Sequence, residues 1–298
     1  MPSGPVWRAR RISTAVLPIL RAPGAPGYVH SVFARAVNLV VDEQLVTLAD
    51  ASVGGLPNGV VFEVGAEVSL VEGAAVRREG EMLLFGSGWA RLDLRPAVAW
   101  SPELPRGLSR LPWTLDDLRL LLDQSAATAG FWPLLRRLIS PAAPLSAMCA
   151  RALPSLTELA EAQDLPRLLD AARGLVGLGD GLTPSGDDLL VGFSAGLRAT
   201  ADPLAERFAR GCADLARGRT TLVAQMFLDH AARGAYSERV QRLVSGSPTD
   251  ARAWGASSGA DTLLGILLAS YTTLGESIQL TLKRAPLGPG VSFTSVPV

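Results

Sequence analysis

Short apolar runs separated by turn residues mark the first third of the chain. The runs, rich in β-branched and other apolar residues, lie at residues 28–41, 44–49, 60–71 and 81–94. Turn-forming pairs such as Asp42-Glu43 and Glu79-Gly80 separate them. Runs of this length bounded by turn chemistry are typical of antiparallel strands. The pattern predicts an antiparallel β domain, a small barrel or sandwich, over residues 28–96.

After a proline-punctuated linker at residues 96–112, apolar residues recur with a helical period. Predicted helices lie at residues 114–122, 131–139, 154–163, 166–175, 184–199, 203–216, 220–233, 236–244 and 258–275. A mostly helical C-terminal domain is therefore predicted over residues 113–283. The proline- and glycine-rich segments 1–27 and 284–298 are predicted to be irregular and loose. The predicted fold class is α+β, with a β domain followed by a helical domain.

Composition and charge exclude several classes of protein. The 298 residues are 48% apolar and 19% charged, an ordinary globular composition, and the formal net charge of zero gives no basic footprint for nucleic acid. No apolar stretch approaches the ~20 residues that a membrane helix needs. Arginines precede a short apolar stretch at residues 12–20, but Pro18 interrupts it, so we predict no secretion signal. Two isolated cysteines, Cys149 and Cys212, fit a reducing compartment, and we expect a cytoplasmic protein.

The richest segment for chemistry is GLGDGLTPSGDD at residues 177–188. Its alternating glycines allow tight turns and close approach to a ligand. Thr183 and Pro184 are typical of a helix start, with the threonine as N-cap. The free N–H groups of such a start favour an anion such as phosphate or carboxylate. The lysine of a phosphate-binding P-loop and the strand of a dinucleotide fold are both missing, and a tight interhelical turn stays open as the alternative.

An internal repeat strengthens this candidate site. The sequence SGDDLLVG at residues 185–192 and the sequence SGADTLLG at residues 258–265 share five of eight positions. In each repeat the serine, the aspartate three positions after it and the final glycine fall on one helical face. A helix-interior glycine costs roughly 1 kcal/mol relative to alanine, so close approach of two helices or of a ligand would explain both glycines. Chance similarity is the alternative.

We therefore expect the two helix starts to face each other across one pocket, with Asp188 opposite Asp261. Asp187 lies on another side of its helix, where it is a candidate cap. Facing carboxylates have three roles open to them: holding Mg²⁺ together with Asp187, acting as a general base with a raised pKa, or accepting hydrogen bonds from substrate amide groups. The pattern does not choose among these roles.

The candidate residues form two groups. The catalytic candidates are Asp188, Asp261 and Asp187. The substrate-binding candidates are Gly179, Gly181, Thr183, Ser185, Gly186, Ser258 and Gly259. Ser185 and Ser258 are candidates as hydrogen-bond donors to a developing oxyanion and not as nucleophiles, because no histidine lies near either in sequence.

The sequence GLGDGLTPSGDDLLVG resembles the hallmark of the AllH-like family, which is associated with the oxamate carbamoyltransferase of anaerobic allantoin breakdown. Segments 30–39, 220–234 and 255–265 are similar to other parts of the family, so the resemblance covers most of residues 28–270. It implies a subunit of a complex of three different chains that converts carbamoyl phosphate and oxamate into oxalurate and phosphate, or the reverse. It also raises Asn38 as a substrate-binding candidate.

Two other functions remain open from the residues alone. One is a Mg²⁺-dependent hydrolase that uses Asp187, Asp188 and Asp261. The other is a non-catalytic subunit that binds a small anion. We expect the transferase subunit first, the hydrolase second and the binding subunit third.

Overall fold

The structure is a computed structural model. It describes residues 4–22, 27–62, 70–107, 112–140, 142–246 and 248–270. The chain forms two compact units. The barrel unit consists of the chain up to Pro105 together with Asp229–Arg242, and the helical unit consists of Arg106–Leu228 together with the residues from Leu243 onward. The α+β class is therefore confirmed. The barrel unit differs from the predicted 28–96 in including earlier residues and a segment from late in the chain.

The described strands belong to one sheet. They are β1 (Val6–Ser13), β2 (Gly27–Phe33), β3 (Ala36–Val41), β4 (Gln44–Asp50), β5 (Gly59–Phe62), β6 (Ala75–Glu79), β7 (Met82–Phe85), β8 (Ala90–Asp93) and β9 (Val98–Trp100). The order is β5-β4-β3-β2-β6-β7-β8-β1, a further pairing of β1 with β5 closes these eight strands into a barrel, and β9 pairs with β1. The small barrel is confirmed, but its pairing is mixed: β1 is parallel to β8 and β9, and β4 is parallel to β5.

The N-terminal segment differs from the prediction, because residues 6–13 form strand β1 instead of irregular chain. Trp7 and Ala9 point inward while the arginines between and after them lie outward, a period of two. Trp7 packs edge-on against Phe62 and Phe85 in the barrel core, with ring centroids 6.1 and 5.9 Å away. The alternation of large apolar and charged residues, and not an apolar run, marks this strand.

Two predicted runs are hairpins and not single strands. Residues 28–41 turn at 34–35 between β2 and β3, and residues 81–94 turn between β7 and β8. The predicted turn at Asp42-Glu43 is confirmed, with φ angles of 50° and 60°. Positive φ at both residues of a two-residue loop is typical of the hairpin turn that matches strand twist.

The described helices match the helical period of the sequence closely. They are α1 (Leu17–Arg21), α2 (Leu115–Asp123), α3 (Trp132–Ile139), α4 (Ala147–Glu161), α5 (Leu165–Arg173), α6 (Ser185–Ala199), α7 (Ala205–Ala216), α8 (Leu222–Ala232), α9 (Glu238–Ser245) and α10 (Ser258–Ala269). Helix α6 is buried along its whole length, and α10 is buried from Gly259 onward. Across the described parts of the chain, no helix is both long and apolar enough to cross a bilayer.

Helix α4 begins seven residues before its predicted start at residue 154. The Ser146 side chain accepts the N–H of Cys149 at 3.1 Å and caps the true start. Pro154 lies inside the helix instead of opening it. The predicted end of α10 at residue 275 and the predicted loose tail at 284–298 lie outside the described residues.

Candidate functional site

Helices α6 and α10 meet backbone to backbone through the two matched glycines. A Cβ on Gly192 would lie 2.0 Å from the carbonyl oxygen of Thr262, and a Cβ on Gly265 would lie 2.0 Å from that of Leu189. Leu189 and Thr262 hold the same position in their own repeats. The contact is therefore reciprocal, with a local pseudo-twofold relation between the helices. Close helix approach explains why both repeats keep a glycine that a lone helix would disfavour.

The serines and aspartates of the two repeats also face each other reciprocally. The Ser258 hydroxyl lies near Asp188 and lowers its pKa, and the Ser185 hydroxyl does the same for Asp261. Thr183 Oγ1 lies 3.1 Å from Ser258 Oγ, so the segment before α6 reaches the start of α10. The structure thus brings together the two helix starts that the sequence repeat indicates.

The Asp261 carboxyl is completely buried. Its Oδ1 accepts the backbone N–H of Phe131 at 2.6 Å, whereas its Oδ2 has no hydrogen-bond partner among the described residues. Burial raises the pKa of Asp261 to about 7, against the lowering effects of the Phe131 N–H and of the Ser185 and Ser257 hydroxyls. The two serine hydroxyls lower the pKa of Asp261 although neither donates a hydrogen bond to its Oδ2. A carboxyl with this pKa exchanges protons near neutral pH.

Asp188 is 6% exposed as a residue, and its carboxyl Oδ2 is buried without a partner within the described chain. Burial raises the pKa of Asp188 well above its usual value, and the charge of Asp261 raises it further. The Ser258 and Thr183 hydroxyls oppose this effect. Because both carboxyls are buried and the charge of Asp261 raises the pKa of Asp188, one negative charge on the pair is favoured over two.

Asp187 points away from this pair. Its Oδ1 accepts the N–H of Gly177 at 3.1 Å, and its Oδ2 accepts the hydroxyl of Thr220. Burial raises the pKa of Asp187. Because both oxygens are occupied inside the chain, Asp187 ties the glycine-rich loop to the segment before α8. This placement favours a structural role.

Thr183 does not cap α6, so that prediction is wrong. The helix begins at Ser185, and Pro184 occupies the N-cap position without a side-chain hydrogen bond. The Thr183 hydroxyl lies instead against Ser258 Oγ of the other repeat. The residue thus contributes to the contact between the repeats rather than to the helix end.

Most of the N–H groups at the start of α6 are already used. The N–H of Gly186 donates to the carbonyl of Leu178 at 2.8 Å, and those of Asp187 and Asp188 donate to the carbonyl of Pro184 at 2.9 and 3.1 Å. An anion site at a helix start depends on free N–H groups. The geometry therefore does not favour the predicted anion cradle at this helix end.

The candidate glycines divide into turn and packing positions. Gly179 and Gly181 adopt φ angles of 114° and 94°, which side chains rarely tolerate, and Gly181 lies exposed in open space. A Cβ on Gly186 or Gly259 would lie 1.9 or 2.0 Å from a carbonyl oxygen of the segment that precedes its helix. Gly186 and Gly259 are thus needed for close backbone packing beneath the aspartates.

The sequence did not predict that the backbone of Gly130 and Phe131 packs against the Asp261 carboxyl. A Cβ on Gly130 would lie 2.4 Å from Asp261 Oδ1, and φ at Gly130 is 57°. The indole N–H of Trp132 donates to the Ala256 carbonyl at 3.3 Å, which holds the Gly130–Phe131 backbone beside the start of α10. The one signal in the sequence is a glycine placed just before a helix. Nothing local links this segment to Asp261, which lies 130 positions after Phe131.

Asn38 lies in the barrel unit and is hydrogen-bonded there. Its amide donates to Ser31 Oγ at 3.1 Å, and its Oδ1 accepts the hydroxyl of Thr47 at 2.8 Å. Asn58 donates to the same Thr47 oxygen at 2.9 Å. Asn38 therefore belongs to a buried polar network of the barrel.

Within the described ranges, no group of three or more histidine, cysteine, aspartate or glutamate side chains is arranged to hold a metal ion. Asp188 and Asp261 are the facing pair, and Asp187 is engaged elsewhere.

The chain thus has a barrel unit and a helical unit, and the helical unit contains two facing Ser-Asp repeats with a buried carboxyl pair. Residues 175–270, which hold both repeats, match the family model described as oxamate carbamoyltransferase subunit AllH. Residues 8–99 match the model described as the AllH family N-terminal domain. Together these matches cover more than half of the chain, which belongs to the AllH family. No solved structure matches the chain.

Proposed function

We propose that this chain is a subunit of a carbamoyltransferase complex that joins carbamoyl phosphate and oxamate, with the Asp188–Asp261 pair in its reaction centre. The family description supports membership of such an enzyme. The observation that carries the proposal is the pair of buried carboxyls, each with one oxygen that has no partner among the described residues. Buried, unpaired polar groups are costly, and such cost is concentrated at functional sites.

The proposed reaction needs one proton acceptor. The oxamate amide nitrogen attacks the carbamoyl carbon, a C–N bond forms, and the bond from that carbon to the phosphate oxygen breaks. The attacking nitrogen loses one proton, and the leaving phosphate gains one. The products are oxalurate and hydrogen phosphate. An amide nitrogen is a weak nucleophile, so a positioned base is the main requirement for the acceptor side.

Asp261 fits the role of that base. Its pKa of about 7 lies near a physiological pH, where general bases work most effectively. The Phe131 N–H holds Oδ1 and leaves Oδ2 for the proton. Asp188, whose pKa burial raises well above its usual value, stays neutral and donates a hydrogen bond. The hydroxyls of Ser185 and Ser258 lie beside the pair as further donors.

The proposal includes partner chains, since the family is described as a subunit. The groups that meet the two carboxyls are hydroxyls and a backbone N–H, which leaves the phosphate to other parts of the complex. We further propose that the complex works in the cytoplasm on products of purine and allantoin breakdown, as the resemblance implies. The assay contains Mg²⁺ because carboxylate oxygens such as those of Asp188 and Asp261 are ligands of the kind that Mg²⁺ takes.

The test is oxamate-dependent phosphate release by the complex isolated through a tag on the full-length chain. Asp261→Asn should lower kcat by about 100-fold or more, since general-base catalysis contributes roughly 10²–10⁴-fold. Asp180→Asn, a matched change at an exposed aspartate of the nearby loop, should leave kcat near the wild-type value. Wild-type kcat in Asp261→Asn, or Mg²⁺-dependent hydrolysis of carbamoyl phosphate by the chain alone, would contradict the proposal.

A further inference from the structure

The two carboxyls of the site are not equivalent. Asp261 has one oxygen fixed by the Phe131 N–H at 2.6 Å. Hydrogen bonds from backbone N–H groups stabilise the ionised form of a carboxyl. For Asp188 the supporting groups among the described residues are the side-chain hydroxyls of Ser258 and Thr183 and not a backbone N–H. Geometry thus assigns the negative charge to Asp261 and the neutral form to Asp188.

A pair in this state offers one hydrogen-bond acceptor and one donor. The Oδ2 atoms of Asp261 and Asp188 are both buried without a partner among the described residues. With the negative charge on Asp261 and the proton on Asp188, the Oδ2 of Asp261 is the acceptor and the Oδ2 of Asp188 is the donor. A primary amide presents the matching set, with an N–H that donates and a carbonyl that accepts. A carboxylate or phosphate offers acceptors alone and would bring a second negative charge beside Asp261.

We propose that the unpartnered oxygens of Asp188 and Asp261 form a receptor for a primary amide group, with Asp261 accepting its N–H and Asp188 donating to its carbonyl. The proposal rests on the proposed function and deepens it, because it states which end of the acceptor substrate this chain holds. The anionic end of that substrate then lies outside the carboxyl pair.

The start of α6 supports this assignment independently. Its N–H groups at Gly186, Asp187 and Asp188 donate to carbonyls of the chain itself, so the usual helix-start anion site is filled. The Asp188 carboxyl lies beside the hydroxyls of the half-buried Thr183 and Ser258, whose oxygens are 3.1 Å apart. A small, flat group that satisfies both Oδ2 atoms would remove the cost of two unpaired buried oxygens.

The titratable groups around the pair come from three helices. They are Asp187 on α6, Cys149 on α4 and the pair itself on α6 and α10. Burial raises the pKa of the Cys149 thiol, which keeps it neutral, and its Sγ donates to the Gly130 carbonyl at 3.4 Å. None of these groups supplies a positive charge that would attract an anion. The charge balance therefore agrees with a neutral ligand group.

The test compares amides with matching carboxylates on the full-length chain. Oxamate against oxalate and acetamide against acetate are titrated at pH 7.5 by ligand-observed NMR. The amide of each pair should bind about 10-fold or more tightly, because a site built for N–H and C=O groups rejects ligands that leave its polar groups unpaired. Equal or tighter binding of the carboxylates, binding of neither amide, or competition by Mg²⁺ would overturn the inference.

Three variants test the separate roles. In Asp261→Asn the amide oxygen stays on the Phe131 N–H and the NH₂ faces the ligand N–H, so oxamate affinity should fall about 10-fold or more. Asp188→Asn still donates and should bind oxamate within about 3-fold of wild type, whereas Asp188→Ala should lose about 10-fold. The exposed Asp180→Asn is the matched control. Thermal unfolding by circular dichroism verifies that each variant folds.

Asp188→Asn binding as weakly as Asp188→Ala would contradict the donor role. The wild-type amide preference keeps the inference testable if a variant fails to fold. The outcome is distinct from that of the proposed function, since these titrations contain no carbamoyl phosphate. Amide binding without carbamoyl transfer in the complex would refute the proposed function alone. Transfer with a carboxylate preference in the chain would refute this inference alone.

Discussion

Asp261 is held in the fold at a cost, because its ionised form is completely buried. The compensation comes from one backbone N–H and from nearby hydroxyls, and no basic side chain is among the causes that shift its pKa. A carboxyl in a purely structural role would gain from having both oxygens paired, as Asp187 does with Gly177 and Thr220. The contrast between Asp261 on α10 and Asp187 on α6 is the residue-level argument for function.

The raised pKa of Asp261 predicts how stability varies with pH. The carboxyl titrates near 3.8 when unfolded and near 7 in the fold, so the folded state binds the proton more tightly. Its contribution is fully present below about pH 4 and is lost as the pH rises to about 7. Asp261→Asn removes this titration. Its free energy of unfolding relative to wild type should therefore rise by a few kcal/mol, on the order of 1.4 per pKa unit, across that window.

Urea unfolding of both proteins between pH 4 and 7.5 measures this difference. The comparison with wild type is needed because buried His230, whose pKa is lowered to about 4 by burial and by Arg233, acts in the opposite sense. The His230 contribution is lost as the pH falls from about 6.5 to about 4, and it is the same in both proteins. Parallel pH profiles for wild type and Asp261→Asn would refute the assigned pKa.

At the level of secondary-structure elements, the contact of α6 with α10 sets the geometry of the site. Gly192 and Gly265 allow each helix to lie on the carbonyl groups of the other, which fixes the rotation of both helices. That rotation places Asp188 and Asp261 on the shared face. The same helix packing therefore accounts for the spacing of serine, aspartate and glycine in both repeats.

Replacing the packing glycine should break this contact. In Gly192→Ala the new methyl would lie 2.0 Å from the Thr262 carbonyl oxygen, a backbone atom that no side-chain rotation can move. We expect a loss of at least about 3 kcal/mol in the free energy of unfolding, at the upper end of overpacking effects. Chemical denaturation measures it.

Gly181→Ala serves as the comparison for that variant. Gly181 lies in open space, and alanine there should cost the roughly 1–2 kcal/mol of a left-handed backbone conformation. A loss in Gly192→Ala no greater than the loss in Gly181→Ala would show that α6 and α10 are not packed as closely as described.

The helices were more predictable than the strands for a physical reason. Local period and caps define a helix, and the predicted ranges for α6 and α7 lie within two residues of those observed. Strand β1 pairs with strands more than 40 positions away, so its formation depends on distant residues. Its arginines alternate with apolar residues, so the segment contains no local apolar run that would predict a strand. Pro154 misled because proline opens many helices yet sits inside α4.

The site was partly predictable for the same reason. The facing of Asp188 and Asp261 could be predicted because the repeat records it twice in the sequence. The Phe131 N–H could not, because a backbone donor leaves no residue-type signal and lies 130 positions from its acceptor. The use of the helix N–H groups by nearby carbonyls also depends on loop geometry that residue types do not specify.

For the whole molecule, the chain divides its residues between a barrel unit and a helical unit, and each matches its own family model in part. The aspartate pair lies within the helical unit, whereas Asn38 lies within the barrel unit. With a formal net charge of zero, the chain offers no overall field to draw in an anionic substrate. Recognition therefore depends on local groups, of which the carboxyl pair is the most unusual.

The most direct test of the account is a double-mutant cycle on kcat/KM for oxamate, measured on the complex with Asp188→Ala, Asp261→Asn and both changes together. If Asp188 and Asp261 act together in one site, replacing either aspartate already disables the pair. Replacing the other aspartate as well then has little further effect on kcat/KM. The double variant should then be within about 3-fold of the weaker single variant, as for residues that act as a unit. Losses that multiply, with ΔΔG values that add within about 0.5 kcal/mol, would show two independent residues and would contradict the shared site.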